Sequence, residues 1–317
     1  MSVLVETRHP GEFILSEANG QRSRETITIA SGAGIIAAGA AHALEHTLSA
    51  ALSARNLVQA MHAGCDAVAT PCPSCLSNLK NARQRMMDVD FRTKVSGLLG
   101  EPAEAMAALP DVHSVLEVLV DRVGVDAVRA KVVRPLSGLR IAPYYGCIMT
   151  RPPRVMQFDN PENPVSMDNL LAAAGAEIVP FPFKVECCGA SYGMTRRDIV
   201  SRLTGRLLAA ARDAGAHAMA VACPLCQMNL DLRQSQTKLP YGPSYDMPVF
   251  YFTQLLGLAL GVPTAKLGLN KLCVSAEIAF QRAQRVLAQA GEGTGPRLEE
   301  RFLPGTWAAY ASGEDRA

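Results

Sequence analysis

The 317-residue chain is 49% hydrophobic and 19% charged, enough apolar sequence to bury a sizeable core and to build roughly two domains of ordinary size. Its net charge of +2, with no dense Lys/Arg run, gives no electrostatic reason to expect nucleic acid, so small molecules or proteins are the expected partners. The opening residues carry early acidic side chains and no long apolar stretch, and Leu255 to Val262 falls far short of the ~20 residues of a membrane span. These features predict a cytoplasmic protein, and in that reducing compartment nine cysteines point to metal or redox chemistry rather than structural disulfides.

In chain order, Thr26 to Ala30 reads as a strand, and the run Gly32-Ala33-Gly34-Ile35-Ile36-Ala37 after it has the look of a dinucleotide fingerprint. No clear acidic ribose ligand follows in a second strand, so no dinucleotide is expected. Ala50 to His62 reads as a helix stopped at Gly64; an apolar strand and a Cys72-Pro73-Ser74-Cys75 turn follow, and the turn opens another helix. Val112 to Val132 reads as one or two helices with His113 as a capping or packing residue, and Pro135 to Gly138 as a join. Beyond it come a strand at Leu139 to Tyr145, a helix near Ser166 to Ala174 and a strand at Glu177 to Phe181. A helix from Val200 to Ala214 stopped at Gly215, another strand, a Cys223-Pro224-Leu225-Cys226 helix start and a strand at Pro248 to Phe252 complete the pattern.

Shifting the sequence by 151 residues lays Met61 to Leu79 on Arg212 to Leu230 with nine of nineteen positions identical, including Cys72 on Cys223, Cys75 on Cys226 and Asn78-Leu79 on Asn229-Leu230. The predicted fold is therefore α/β: two pseudo-repeated, Rossmann-like βαβ units with parallel sheets and cysteine loops at the carboxyl ends of strands. The expected divisions are an atypical N-terminal segment at 1–44, a degenerate first unit at 45–135 and a complete second unit at 136–317. Proline suits the first helical position, where an N–H would have no partner, so each Cys-Pro-x-Cys pair sits at a helix N-terminus.

Five thiols of the second unit, Cys147, the vicinal pair Cys187-Cys188, and Cys223 with Cys226, come from three strand-end loops that open on one edge of a parallel sheet. Thiolates are soft ligands for zinc or iron–sulfur clusters, and the helix start helps keep Cys223 deprotonated. A thioredoxin-like pair at Cys223/Cys226 would need no third loop, a structural zinc would need four ligands where five thiols are present, and a Cys187–Cys188 disulfide would leave three thiols unused. Cys65 and Cys273 read as small buried hydrophobes. Arg151 and Lys184 flank the loops as surface charges or attractors of an anionic thiol, and Tyr144 and Tyr145 read as strand residues.

The spacing resembles the CCG cysteine-rich domain family, found in the B-type subunit of heterodisulfide reductase and in components of lactate-, glycolate- and succinate-oxidising or fumarate-reducing complexes. The resemblance runs over roughly Ala50 to Gly268 and rests on YYGC at Tyr144 to Cys147, RPP at Arg151 to Pro153, VECCGAS at Val185 to Ser191, CPLCQMNL at Cys223 to Leu230 and YFTQLLGLALG at Tyr251 to Gly261. It implies a noncubane [4Fe-4S] cluster held by the five cysteines, at which a disulfide is split or a thiol pair joined in one-electron steps. It also implies electron supply from two heterodisulfide reductase partners, a small C-type iron–sulfur protein and an A-type flavoprotein. This sequence has no C-x-x-C-x-x-C run and no convincing flavin motif of its own.

Two departures stand out. The repeat offset places a first vicinal pair near Ile36 and Ala37 and its leading cysteine before residue 1, so Cys72 and Cys75 alone remain as metal candidates in the first unit, too few for a five-thiolate cluster. In addition, Val5 to Gly32 resembles the opening of a phage head decoration protein, which predicts a chimeric or rearranged segment that packs poorly here.

Overall fold

A computed structural model describes residues 46–193, 195–237 and 245–289, together with the backbone of three strands near the start, β1 (Val3–Glu6), β2 (Glu12–Glu17) and β3 (Thr26–Ile29). The glycine run at 32–37 lies outside the described residues. The chain divides into two compact units, one of Met1–Ala127 with Ile148–Glu162, the other of Val128–Cys147 with Asn163–Ala317.

In the first unit, helix α1 (His46–His62) leads into β4 (Ala67–Thr70), all four residues of which are buried. The helix begins four residues earlier than its apolar pattern predicts. Helix α2 (Pro73–Arg85) follows, with Cys72 as its N-cap and proline at the first position, and buries Leu76 and Leu79. After α3 (Val89–Leu99) and α4 (Ala103–Met106), strand β5 (Asp111–Ser114) pairs in parallel with β4, placing His113 beside Ala69. The sequence pattern puts His113 on a helix; it sits instead on this strand, because Val112 to Ser114 complete the sheet before helical hydrogen bonding begins. Ser114 then caps the helical run that starts at α5 (Val115–Glu117): its hydroxyl accepts from Glu117 N–H while the Glu117 carboxylate accepts from Ser114 N–H.

The sheet order is β1-β2-β3-β4-β5. Strands β3, β4 and β5 are parallel, but β1–β2 and β2–β3 are antiparallel, so this sheet is mixed rather than parallel as expected. The antiparallel pairs lie in the stretch that departs from the cysteine-rich pattern, where connections are too short to carry a crossover helix.

The second unit is a parallel sheet built from β6 (Arg140–Tyr144), β7 (Glu177–Ile178), β8 (Ala218–Val221) and β9 (Val249–Tyr251), in the order β7-β6-β8-β9. Its helices are α8 (Ser166–Ala173), α9 (Arg197–Asp213), α10 (Pro224–Leu232), α11 (Phe252–Ala259) and α12 (Ala276–Gln289); α6 (Val125–Ala130) spans the division between the units, and α7 (Pro153–Met156) belongs to the first. Strand β7 is shorter than the predicted 177–181 stretch, since Pro180 and Pro182 bring no N–H to a ladder. The core is apolar: β8 is fully buried, and Phe250 of β9 packs against Phe280 of α12 with ring centroids 6.1 Å apart.

Helix α9 stops at Gly215, whose φ of +72° suits glycine and lets Ala216 N–H reach the Ala211 carbonyl at 3.0 Å. The same closure ends α1, where Gly64 has φ +74° and Cys65 N–H reaches the Ala60 carbonyl at 3.0 Å. Each stop aims the chain directly into a buried strand that ends at a Cys-Pro-x-Cys turn.

Candidate metal centre

The strand order of the second unit locates the site. From β6 the chain crosses to β7 on one side, then returns to β8 on the other, so connections after the adjacent strands β6 and β8 leave on opposite sides. Such a reversal opens a crevice at the carboxyl ends of the strands, the usual ligand position in open parallel sheets. Cys147 lies three residues beyond β6, Cys187 and Cys188 follow β7, and Cys223 and Cys226 follow β8.

All five predicted thiols meet there. Cys147 hydrogen-bonds Cys187, the sulfurs of Cys188 and Cys226 are 3.5 Å apart, and Cys226 also hydrogen-bonds Cys223. Cys188, Cys223 and Cys226 are buried, whereas Cys147 and Cys187 are partly open to solvent. The phenol of Tyr144 is pushed well above its ordinary range, first by burial and then by the charges of the Cys226, Cys188, Cys147 and Cys187 sulfurs.

Proton positions follow from these pairs. Hydrogen bonding from Cys147 lowers the Cys187 thiol to about 6, and hydrogen bonding from Cys226 lowers Cys188 to about 7. The donors move the other way: Cys147 and Cys226 are raised, each foremost by the bond to its thiolate partner. Backbone N–H groups add to the stabilisation of negative sulfur, with Gly189 N–H donating to Cys187 Sγ at 3.2 Å and Ala190 donating to Cys188.

Several residues hold the loops in this arrangement. The backbone N–H groups of Tyr145 and Gly146 donate to the Lys184 carbonyl at 2.8 and 3.1 Å, tying the Cys147 loop to the Cys187 loop. Tyr144 Oη donates to the Glu186 carbonyl at 2.7 Å, and Asn229 Nδ2 to the Cys188 carbonyl at 2.7 Å. The hydroxyl of Tyr145 donates to Asp168 at 2.8 Å and accepts from Met167 N–H at 2.7 Å, while Lys184 forms an ion pair with the same Asp168. Gly146 adopts φ +80°, and a Cβ there would stand 3.2 Å from Cys226 Sγ.

Other predicted residues fall elsewhere. Lys184 is a partly buried partner of Asp168 rather than a surface charge, and Arg151 pairs with Glu162 in the first unit. Cys65 is buried as expected, but Cys273 is exposed; its N–H and that of Val274 donate to the Asp231 carboxylate. Cys72 and Cys75 lie in the first unit at the start of α2. Sequence reasoning misses Asp168 and Asn229 and takes Tyr145 for an ordinary strand residue; the signal available was Asn229, which matches Asn78 across the internal repeat.

The donor set suits a thiolate-bound polynuclear group. Five contacting sulfurs, backbone N–H donors aimed at two of them and a glycine where a side chain would crowd a third make a cradle for such a group. The sulfur contacts fall in two sets, Cys147 with Cys187, and Cys226 with both Cys188 and Cys223.

The Cysteine-rich domain model (CCG) matches residues 141–231, and the Bacteriophage lambda head decoration protein D model matches residues 3–74. The chain is 33% identical to the 8-methylmenaquinol:fumarate reductase membrane anchor subunit of Wolinella succinogenes, over 71% of this chain and 78% of that protein. It is 30% identical to the B-type subunit of the Ferredoxin/F(420)H(2)-dependent CoB-CoM heterodisulfide reductase of Methanosarcina acetivorans, over 70% of this chain and 74% of that protein. In fold it resembles a hypothetical protein from Helicobacter pylori, with TM-score 0.53, 12% identity and 73% of this chain covered; the aligned part spans 42% of that longer chain.

The Wolinella relative overturns the expectation of a cytoplasmic protein. Among the described residues no helix is long and apolar enough to cross a membrane, and Leu255 to Ala259 is buried in α11. A relative named for anchoring shows why the step from no span to cytoplasm fails: peripheral attachment needs no span within the attached chain.

Proposed function

The chain belongs to the family of heterodisulfide reductase B-type subunits, and from that footing we propose that it is an iron–sulfur component of an oxidoreductase complex. Cys147, Cys187, Cys188, Cys223 and Cys226 would hold its one complete cluster, and their gathering at one edge of the sheet in two sets of sulfur contacts carries the reading. The first unit offers Cys72 and Cys75 alone at the matching place. The two units are read as copies of one βαβ design, on the strength of the 151-residue repeat and the shared strand, proline and helix start.

A noncubane [4Fe-4S] cluster would supply single electrons beside a sulfur atom, the requirement for converting RS–SR with two electrons and two protons into two RSH, or for the reverse. The protein's own groups bind, orient and shield. Burial of Cys188, Cys223 and Cys226 keeps water from one side of the site, and the partly open Cys147 and Cys187 mark the side from which a small disulfide or thiol enters. The Tyr145–Asp168–Lys184 linkage and Asn229 fix the loops, so that the sulfurs do not rearrange when their protons leave. Electrons reach the site from a C-type iron–sulfur protein and an A-type flavoprotein.

The Wolinella relative favours a second reading, in which the chain links a quinol-oxidising complex to a membrane and no disulfide is involved. Electron paramagnetic resonance of anaerobically purified protein separates the two. A signal that changes on adding a thiol supports the disulfide chemistry; one indifferent to thiols and disulfides but altered by a menaquinol analogue contradicts it in favour of the quinol link.

A further inference from the structure

Cys72 and Cys75 belong to the first unit, which has its own sheet, and are not among the five thiols described above. Cys72 is the N-cap of α2 and Cys75 lies in its first turn, which the Leu76 N–H closes onto the Cys72 carbonyl at 2.8 Å. In a closed helical turn, residues three apart have Cα atoms roughly 5–6 Å apart, inside the ~4.4–6.8 Å range over which a disulfide forms without moving backbone. Cys72 is buried and Cys75 is partly exposed, so the second sulfur is the one a small molecule meets first.

The sequence of the first unit offers the pair too few further sulfurs to complete a cluster. The one other cysteine in the sequence of residues 1–127 and 148–162 is Cys65, which precedes β4 at the end opposite to Cys72. His113 lies on the adjoining strand beside Ala69, and both its ring nitrogens are engaged: Nδ1 with Glu117 at 2.8 Å and Nε2 with Arg122 at 3.2 Å. The 151-residue offset places the counterparts of Cys187 and Cys188 at Ile36 and Ala37, so the sequence supplies no vicinal pair here, and β5 runs into the Ser114–Glu117 capping box. Two thiols on one helical turn, in a unit whose sequence holds too few sulfurs for a cluster, have the makings of a dithiol.

We propose that Cys72 and Cys75 form a reversible dithiol–disulfide couple that exchanges with small-molecule disulfides. The Cys75 thiolate attacks one sulfur of RS–SR, forming a Cys75–SR mixed disulfide and releasing RS⁻. Cys72, losing its proton, attacks the Cys75 sulfur and expels the second RS⁻. Two thiols are oxidised, one disulfide is reduced, and the two protons lost by the cysteines end on the two released thiols.

The test uses the full chain, purified anaerobically and equilibrated across oxidised-to-reduced glutathione ratios, with remaining thiols trapped by a mass-tagged maleimide and located by peptide mapping. Cys72 and Cys75 are expected to lose labelling together in one transition that yields an intramolecular disulfide. In Cys72→Ser, Cys75 is expected to be captured as its glutathione mixed disulfide, and Cys65→Ser is expected to leave the transition unchanged. Independent loss of the two labels overturns the couple, as does protection of both by stoichiometric zinc or iron that a chelator relieves. Iron measured in the same samples separates this result from the fate of the second-unit site: Cys72→Ser and Cys75→Ser are expected to retain wild-type iron.

Discussion

The sulfur of Cys188 lies 3.5 Å from that of Cys226, although 38 positions separate them in the chain. One follows β7 and the other opens α10, so their contact depends on the whole strand order of the second unit rather than on any local motif. If this contact marks a shared ligand site, replacing one member removes the group held by all five. Cys188→Ser and Cys187→Ser are predicted to abolish iron binding, while Cys273→Ser, on an exposed segment outside the crevice, keeps wild-type iron. Iron assays on the three variants decide the matter; equal loss in all three contradicts the ligand set.

Gly146 carries the backbone from β6 into the Cys147 loop at φ +80°. Alanine there brings a left-handed penalty of about 1–2 kcal/mol and places a methyl group 3.2 Å from Cys226 Sγ. Gly146→Ala is predicted to lower stability by about that amount and also to lower iron content, whereas a purely conformational cost would leave iron unchanged once the protein is folded. Urea denaturation and iron analysis on the same preparation distinguish these results.

Tyr145 is fully buried, and its hydroxyl ties the chain just beyond β6 to the first turn of α8, donating to Asp168 and accepting from Met167 N–H. Phenylalanine removes the donor to Asp168 and the acceptor for Met167 N–H without changing the ring, a loss of about 1–3 kcal/mol. The shift in urea midpoint measures it. No shift would contradict a stabilising role for the linkage.

The second unit is more legible in sequence than the first, and the reason is physical. Its helices and buried strands alternate with clear stops at Gly175 and Gly215, and its cysteines stand after strands, so topology follows from period and punctuation. In the first unit, Asp111–Ser114 carries a charged residue, a histidine and a serine, a pattern with no strand signature; pairing with β4 alone makes it a strand. The proposed ligand residues are visible as cysteines. The Tyr145–Asp168–Lys184 linkage is not, because its three members are drawn from different elements and each has an ordinary reading by itself.

His217 gives a pH dependence independent of the thiols. Burial, followed by the positive charges of Arg140 and Arg282, lowers its pKa to about 4, against a weaker opposing effect of Glu177. Its Nδ1 accepts from Arg140 N–H at 3.2 Å, which requires that nitrogen to be unprotonated. The unfolded chain takes up a proton near the ordinary value of ~6.5 while the folded chain does not, so the stability from this residue is complete above that pH and is lost as pH falls towards 4. The slope from one such proton is at most about 1.4 kcal/mol per pH unit. His217→Gln is predicted to flatten the stability profile between these limits, measured by urea denaturation at several pH values; an unchanged slope contradicts the assignment.

Joint binding of one iron–sulfur group by the five thiols of the second unit is tested most directly by iron and acid-labile sulfide, determined per chain on anaerobically purified protein. Both elements are predicted in equal amounts, near four of each per chain in the fully loaded state, as ~4 iron and ~4 sulfide make up a [4Fe-4S] group. Stoichiometric zinc with neither iron nor sulfide would contradict it.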